Sequence, residues 1–235
     1  MIPKVGILET GAPPCELQHR FGSYVDMLQR LLGPSLCYVS FDVRQAELPS
    51  APAEFDALVL TGSAAGVYDG DRWIEALKTF ISEASGQVPL VGVCFGHQVM
   101  AEAFGGRVTQ AIQGWGIGCH QYEIHHRTAW MDGARSITVP VSHRDQVVEL
   151  PTEAVVLAGS AFTPFGVLLY PERRALSFQC HPEFSVEYAQ ALIELRRGRV
   201  YSDAQVQEGI ASLLRPNDGA RVAEWIRRFI AGQVS

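Results

Sequence analysis

The segment Val88–Gln98, with the sequence VPLVGVCFGHQ, joins an apolar run to a mixed one across a Gly-x-Cys-x-Gly turn. The apolar run Val88–Val93 predicts a buried strand, and His97–Phe104 predicts a helix. A strand that turns directly into a helix around a central cysteine is typical of a nucleophile elbow with sulfur in place of oxygen. Gly92 and Gly96 suit this turn because a side chain at either position would collide with neighbouring backbone.

The central residue of this turn, Cys94, is the candidate nucleophile. We expect its thiol at the carboxyl end of a sheet, where open α/β folds bind ligands. The dipole of the following helix favours thiolate over thiol. The alternative is a small buried cysteine that only packs between strand and helix. We predict this packing role for the four cysteines outside the turn: Cys15, Cys37, Cys119 and Cys180.

Strands and helices alternate through the first half of the chain. Because the strands are continuously apolar, they indicate a parallel sheet covered by helices on both faces. The predicted strands here are Val5–Leu8, Leu36–Phe41, Ala57–Leu60 and Val88–Val93. The predicted helices between them are Leu17–Leu32, Arg72–Ser85 and His97–Phe104.

The second half begins with short β-type segments between turn residues, which predict hairpins added to the sheet at its edge. These segments are Tyr122–Ile124, Ile137–Val141, Ala154–Leu157, Val167–Tyr170 and Ala175–Gln179. The chain then ends in three predicted helices: Val186–Arg196, Asp203–Leu214 and Gly219–Ile230. No internal repeat or linker divides the sequence, so we predict a single domain over residues 1–235.

Composition narrows the possible partners and cofactors. The 235 residues are 47% apolar and carry a formal charge of −6 without basic clusters, which disfavours nucleic acid and anionic membranes as partners. No signal peptide or membrane-spanning stretch is apparent, and the odd number of cysteines fits no disulfide framework, so we expect a cytoplasmic protein with reduced thiols. We expect no metal or other cofactor, because the spacings of Cys119-His120 and His125-His126 match no tetrahedral metal site.

A general base and its orienting acid are predicted near the end of the strand-like run Ala175–Gln179. Pro182 ends this run because it lacks a backbone donor. His181 and Glu183 lie two residues apart, so an extended chain presents both on the same side. A carboxylate there can hold the imidazole in one tautomer and stabilise its charged form. The alternative is a histidine at a strand end followed by a surface glutamate.

Taken together, the segments Gly92–Gln98 and Cys180–Phe184 resemble the class I, triad-type glutamine amidotransferases. Two motifs in the family's order, about 85 residues apart, are more specific than either alone. The segment Thr61–Asp69 resembles the family's oxyanion strand, and Ser142–Val147 resembles the Ser-His-x-Asp element of the GMP synthase glutaminase. The free-standing GMP-synthase-like branch, which includes the γ-glutamyl peptidases, is the most similar in shape.

This resemblance implies a flavodoxin-like fold and a γ-glutamyl thioester on Cys94, with His181 as the base and Glu183 as its orienter. Preorganised backbone donors would stabilise the developing oxyanion. The resemblance places these donors at Phe95 and in the turn formed by Gly62 and Ser63. It implies that Gln98, Ser142 and His143 bind the amino-acid end of the substrate.

Two departures from the family pattern concern the substrate. The oxyanion segment has Thr61-Gly62-Ser63 where the GMP synthase branch has a Gly-Gly pair. Arg144 replaces a usually small residue and adds a cation near the substrate end. The resemblance therefore supports the amide chemistry more strongly than it supports any one substrate.

Three functions are compatible with these motifs. The first is a γ-glutamyl hydrolase or transferase acting on glutamine or another γ-glutamyl compound. The second is a glutaminase subunit that supplies ammonia to a separate synthetase chain. The third is a non-catalytic binding module on the same fold, which the intact Cys94, His181 and Glu183 disfavour. A serine-esterase-like α/β-hydrolase is excluded, because in those enzymes the acid precedes the histidine along the chain.

Overall fold

The computed structural model describes residues 2–232. Eleven strands and seven α-helices make up the described part of the chain. The strands are β1 (Lys4–Glu9), β2 (Cys37–Asp42), β3 (Ala57–Leu60), β4 (Leu90–Val93), β5 (Arg107–Gln110), β6 (Gly116–Ile124), β7 (Ser136–His143), β8 (Asp145–Glu149), β9 (Val155–Gly159), β10 (Val167–Tyr170) and β11 (Ala175–Phe178). The helices are α1 (Cys15–Phe21), α2 (Tyr24–Leu32), α3 (Arg72–Ala84), α4 (Phe95–Ala103), α5 (Val186–Leu195), α6 (Asp203–Ser212) and α7 (Gly219–Ile230).

A nine-stranded sheet with the order β2-β1-β3-β4-β11-β10-β9-β6-β7 forms the centre of the molecule. The first five strands in this order run parallel, and the remaining four are added antiparallel. A separate antiparallel pair joins β5 to β8. The predicted parallel sheet with hairpins added in the second half is therefore confirmed.

Helices cover both faces of the parallel part, as the unbroken apolar strands predict. In β3, Ala57 and Val59 belong to one hydrophobic core together with residues of α2 and α7. Leu58 and Leu60 alternate with them and belong to a second core with residues of α3 and α4. Because successive strand residues face opposite sides, one apolar strand supplies both cores.

The predicted single helix over Leu17–Leu32 is wrong, because two helices, α1 and α2, occupy this range. Gly22 ends α1 with a φ of +82°, a conformation that glycine adopts without strain. Ser23 then caps α2: its hydroxyl accepts a hydrogen bond from the Asp26 backbone N–H, and the Asp26 carboxylate accepts one from the Ser23 backbone N–H. This capping box satisfies orphan donors at the helix start and so favours a new helix over a continuous one.

The sequence patterns also missed strands β5 and β8 and residues 116–121 of β6. The glycines of Gly114–Gly118 are typical of a loop, yet β6 already begins at Gly116. Gly118 has a φ of +83°, and a Cβ atom there would lie 2.5 Å from the carbonyl oxygen of Gly209 in α6. Its missing side chain therefore allows α6 to pack directly on the strand.

No helix among residues 2–232 combines the length and apolar character needed to cross a membrane. The cytoplasmic location stays a prediction, as does the single domain over residues 1–235.

The tight contact between Gly92 and the start of α4 gives a stability prediction. A Cβ atom at position 92 would lie 2.6 Å from the backbone carbon and oxygen of Gly96 and from the sulfur of Met100. We expect Gly92→Ala to lower the free energy of unfolding by about 1–3 kcal/mol through overpacking. In the matched control, Gly133→Ala, no heavy atom lies within 4 Å of the added Cβ. Urea denaturation measures both variants, and equal midpoints would contradict the predicted clash.

Candidate active site

Three neighbouring parallel strands bring the predicted site residues to one edge of the sheet. Strand β4 pairs with β3 on one side and with β11 on the other, so their carboxyl ends lie together. Thr61 follows β3, Cys94 follows β4, and Gln179 follows β11. The loops after these strands therefore converge on the position where open α/β sheets bind ligands.

Cys94 occupies a strained turn between β4 and α4. Its φ of +53° and ψ of −99° are unusual for a residue with a side chain. Its backbone N–H donates to the Phe178 carbonyl of β11 at 2.8 Å, and the Gly96 N–H donates to the Thr61 carbonyl at 3.2 Å. A Cβ atom at position 96 would lie 2.7 Å from the Leu60 carbonyl oxygen. The elbow is thus held by both neighbouring strands.

The side chains of His181 and Glu183 form a buried pair. Nδ1 of His181 lies 2.7 Å from Oε1 of Glu183, and the two residues are only 3% and 8% exposed. The imidazole stacks on the Phe184 ring with a centroid distance of 3.9 Å. The His181 backbone N–H donates to the Pro140 carbonyl at 2.8 Å, which anchors the strand end. Because Nδ1 faces the carboxylate, Nε2 remains for a second partner.

Cys94 is the candidate second partner, since its proximity raises the pKa of His181. Gly62 lies against both side chains: a Cβ atom there would be 3.0 Å from Cε1 of His181 and 3.7 Å from Cβ of Cys94. Only a residue without a side chain fits at this position without displacing them. The structure therefore brings Cys94, His181, Glu183 and Gly62 together.

A cavity of about 280 Å³ opens in front of the thiol. Its walls contain the thiol itself and five further residues predicted for the site: Ser63, Gln98, Ser142, His143 and Arg144. Phe95 begins α4, where a backbone N–H has no acceptor within the helix. Six of the ten predicted site residues therefore line this cavity, Gly62 and Phe95 are chain neighbours of two of them, and His181 and Glu183 form the pair next to Gly62.

A family model described as "Glutamine amidotransferase class-I" matches residues 20–195 of the chain. The chain belongs to this family. Its members include cysteine-dependent enzymes, so the prediction of an amidotransferase enzyme is confirmed at the level of the family.

The amidotransferase has relatives of similar length. It is 28% identical to a glutamine amidotransferase-like protein of Schizosaccharomyces pombe, over 96% of this chain and 98% of the relative. It is 27% identical to γ-glutamyl peptidase 4 of Arabidopsis thaliana, over 81% of this chain and 78% of the relative. The crystal structure of a glutamine amidotransferase from Thermotoga maritima superposes with a TM-score of 0.76 at 17% identity, covering 98% of this chain and 99% of that one. This last likeness concerns the fold.

The electrostatic environment of the amidotransferase's imidazole favours its charged form. Burial lowers the pKa of His181, but the nearby charges of Cys94 and Glu183 and the hydrogen bonds to both outweigh burial and raise it to about 10. A buried imidazolium is therefore stabilised between two groups that can carry negative charge.

For two other buried histidines beside the site, the environment favours the neutral form. Burial lowers the pKa of His97 and of His143 to about 3, so both rings are neutral near pH 7. Nδ1 of His97 lies 2.8 Å from the Ser177 hydroxyl, which ties α4 to β11. This contact joins two elements of the fold beside the site.

Several residues at or near the cavity were not identified from the sequence. The Gln179 side-chain amide approaches the Cys94 sulfur at 3.8 Å, and the Tyr68 hydroxyl donates to the Asp145 carboxylate at 2.9 Å. Arg196, at the end of α5, also lines the cavity. Gln179 could have been found, since it lies two residues before His181 on the same extended segment. Arg196 follows a helix distant in sequence, and no local pattern marks it.

The pairing of Glu183 with the imidazole gives a prediction about its protonation. We expect Glu183→Gln to lower the pKa of His181 by about 1–3, because the substitution removes a negative charge at hydrogen-bond distance. NMR titration of labelled histidine measures the change. Glu187→Gln on the exposed start of α5 is the control and should leave the His181 titration in place. An unchanged titration in Glu183→Gln would show that the carboxylate does not hold the proton on the ring.

Proposed function

We propose that the amidotransferase hydrolyses the γ-amide bond of a γ-glutamyl compound, with Cys94 as nucleophile, His181 as general acid and base, and Glu183 as the residue that orients His181. The observation that carries this proposal is the buried imidazole that is hydrogen-bonded to the Glu183 carboxylate and lies, together with the Cys94 side chain, against Gly62. A nucleophile next to a base, with the base held by an orienting group, is the arrangement that acyl transfer needs.

In the first half-reaction, the Cys94 thiolate forms a bond to the γ-carbonyl carbon. As the tetrahedral intermediate collapses, the carbon–nitrogen bond breaks and the imidazolium of His181 gives its proton to the departing nitrogen. In the second half-reaction, His181 takes a proton from water, and the hydroxide attacks the thioester. The carbon–sulfur bond then breaks, which releases glutamate and restores thiolate and imidazolium.

Two backbone N–H groups are suited to stabilise the oxyanion. The Thr61 hydroxyl donates to the Gly62 carbonyl at 3.1 Å, and the Thr10 hydroxyl lies between the Thr61 and Gly62 carbonyl oxygens at 2.9 and 3.1 Å. In a trans peptide the following N–H points away from this carbonyl, so the two threonines fix the direction of the Ser63 N–H. The Phe95 N–H at the start of α4 is the second donor. Preorganised donors of this kind need no rearrangement as charge develops.

The remaining predicted residues are assigned to the amino-acid end of the substrate. The side-chain N–H groups of Gln98 donate to the Asp145 carbonyl at 2.8 Å and to Oε1 of Gln179 at 3.2 Å. Only its carbonyl oxygen is then available, which suits the substrate's ammonium group. The backbone of Ser142 and His143 and the cation of Arg144 suit its carboxylate.

A second candidate function is ammonia supply to a separate synthetase chain. The segment Ser142–Asp145, which resembles the GMP synthase element, lines the cavity beside the thiol and favours this reading. A synthetase partner would raise glutamine hydrolysis on binding. Full activity of the isolated chain, with no partner recovered by co-purification, would instead support the free-standing hydrolase.

The nucleophile is tested by Cys94→Ala. We expect release of glutamate from glutamine or γ-glutamyl substrates to fall by at least about 10³-fold, because the variant cannot form a thioester. Intact-mass spectrometry should detect an acyl adduct on the wild-type protein and none on the variant. The exposed Cys15 gives the matched control, Cys15→Ala, which should keep activity and adduct. Undiminished activity of Cys94→Ala would remove this sulfur from the mechanism.

The raised pKa of His181 predicts the alkaline limit of activity. Because the proposed mechanism needs the imidazolium to protonate the leaving nitrogen, kcat/KM should fall as pH rises through about 10, where His181 loses its proton. In Glu183→Gln the same fall should begin at lower pH. Circular dichroism at each pH separates this titration from unfolding. A decline centred near the ordinary histidine pKa of about 6.5 would contradict the proposed ion pair.

A further inference from the structure

A second cavity, of about 150 Å³, lies on the imidazole side of the site. We propose that this cavity binds a leaving amine that carries a carboxylate, and that Arg196 recognises this carboxylate. The preferred substrates would then be γ-glutamyl amino acids, in which the leaving amine is itself an amino acid. This inference rests on the proposed function and specifies its substrate class.

The position of the second cavity indicates that it binds the leaving group. Cys94 lines the first cavity, whereas His181 lines the second. Ser63, Ala64 and Ser142 line both cavities, so the two spaces meet beside the proposed oxyanion site. Because His181 delivers its proton to the departing nitrogen, that nitrogen and its substituent lie on the imidazole side.

The second cavity is larger than a departing ammonia molecule needs, and its wall suits an apolar substituent. A water-sized molecule such as ammonia needs only about 10–15 Å³ on the same scale. Most of the remaining wall is apolar and consists of Ala12, Pro14, Tyr24, Phe184 and Leu192. Such a surface favours an aliphatic side chain on the leaving amine.

Arg196 supplies the cation at the boundary of the two cavities. Its Nη1 donates to the Ser142 hydroxyl at 3.1 Å and to the Tyr201 hydroxyl at 3.0 Å, and the guanidinium lies 5.4 Å from the centre of the Trp115 ring. These neutral partners position the group without neutralising it. The neighbouring Arg197 differs, since it pairs with the carboxylates of Glu194 and Asp203.

The hydrogen bonds that Arg196 makes leave one edge of its guanidinium group available. Within residues 2–232, no carboxylate forms an ion pair with Arg196, and both of its hydrogen bonds use Nη1. The edge formed by Nε and Nη2 presents two parallel N–H groups, the geometry that binds a carboxylate through both oxygens. A half-buried cation of this kind at the cavity wall favours an anionic substituent on the amine.

The test compares γ-glutamyl-alanine with γ-glutamyl-alaninamide, whose leaving amine lacks the charge. We expect wild-type kcat/KM to favour the free carboxylate by about 10- to 100-fold, the range of a charge-assisted hydrogen-bonded pair. In Arg196→Met this preference should fall to near one, and Arg196→Lys should restore part of it. The matched control, Arg197→Met, should keep the wild-type preference. Comparing ratios between variants cancels the intrinsic difference between the two leaving groups and any general loss of folded enzyme.

The outcomes separate this inference from the proposed function. If Arg196 binds the α-carboxylate of the glutamyl part instead, Arg196→Met will slow both substrates equally and keep the preference, which overturns the inference. A wild-type enzyme that cleaves both substrates without preference also overturns it and leaves the proposed hydrolysis intact. If no glutamate is released from either substrate or from glutamine, the proposed function itself fails.

Discussion

The close contact between β4 and the start of α4 is the constraint on which the site depends. Two glycines let the chain reverse direction within a few residues, and hydrogen bonds to the strands on either side hold Cys94 at a positive φ. This strain is sustained because the surrounding sheet over-determines it. The thiol is thereby placed at a fixed point relative to the loops after β3 and β11, which supply the backbone donors and the imidazole. A more relaxed turn would leave the same residues present but not aligned.

The charge state of each buried histidine in the site follows from the acidic groups that surround it. An isolated imidazolium at the position of His181 would be costly, because desolvation disfavours the charged form. Cys94 and Glu183 on opposite sides of the ring reverse this preference. The neighbouring His143 has no such partners and is neutral. Buried histidines within one site thus take opposite charge states, and the local arrangement of acids rather than the residue type decides which can act as a proton donor.

The sequence was sufficient to predict the parallel half of the fold and to select residues that the fold brings to one edge of the sheet. Apolar runs such as Ala57–Leu60 identify strands buried on both faces, and the two motifs around Cys94 and His181 identify the edge at which they meet. The split between α1 and α2 was missed although Gly22 and Ser23 carry a local capping pattern. Strands β5 and β8 were missed because polar residues interrupt both, so neither forms an apolar run, and they pair only with each other. Arg196 could not be recognised, since its role depends on contacts with β7 and the loop before β6 that no local periodicity records.

Helix α5 connects two parts of the site that are separate in space. It begins just after Glu183 and Phe184, whose ring stacks on the imidazole, and it ends next to Arg196. A helix of this length is a stiff rod of about 15 Å. Any displacement of the rod would shift the aromatic support of the imidazole and the guanidinium at the same time. In the proposed mechanism, proton delivery by His181 and the choice of departing group by Arg196 are therefore mechanically coupled, so a change in the packing of this one element would alter turnover and selectivity together.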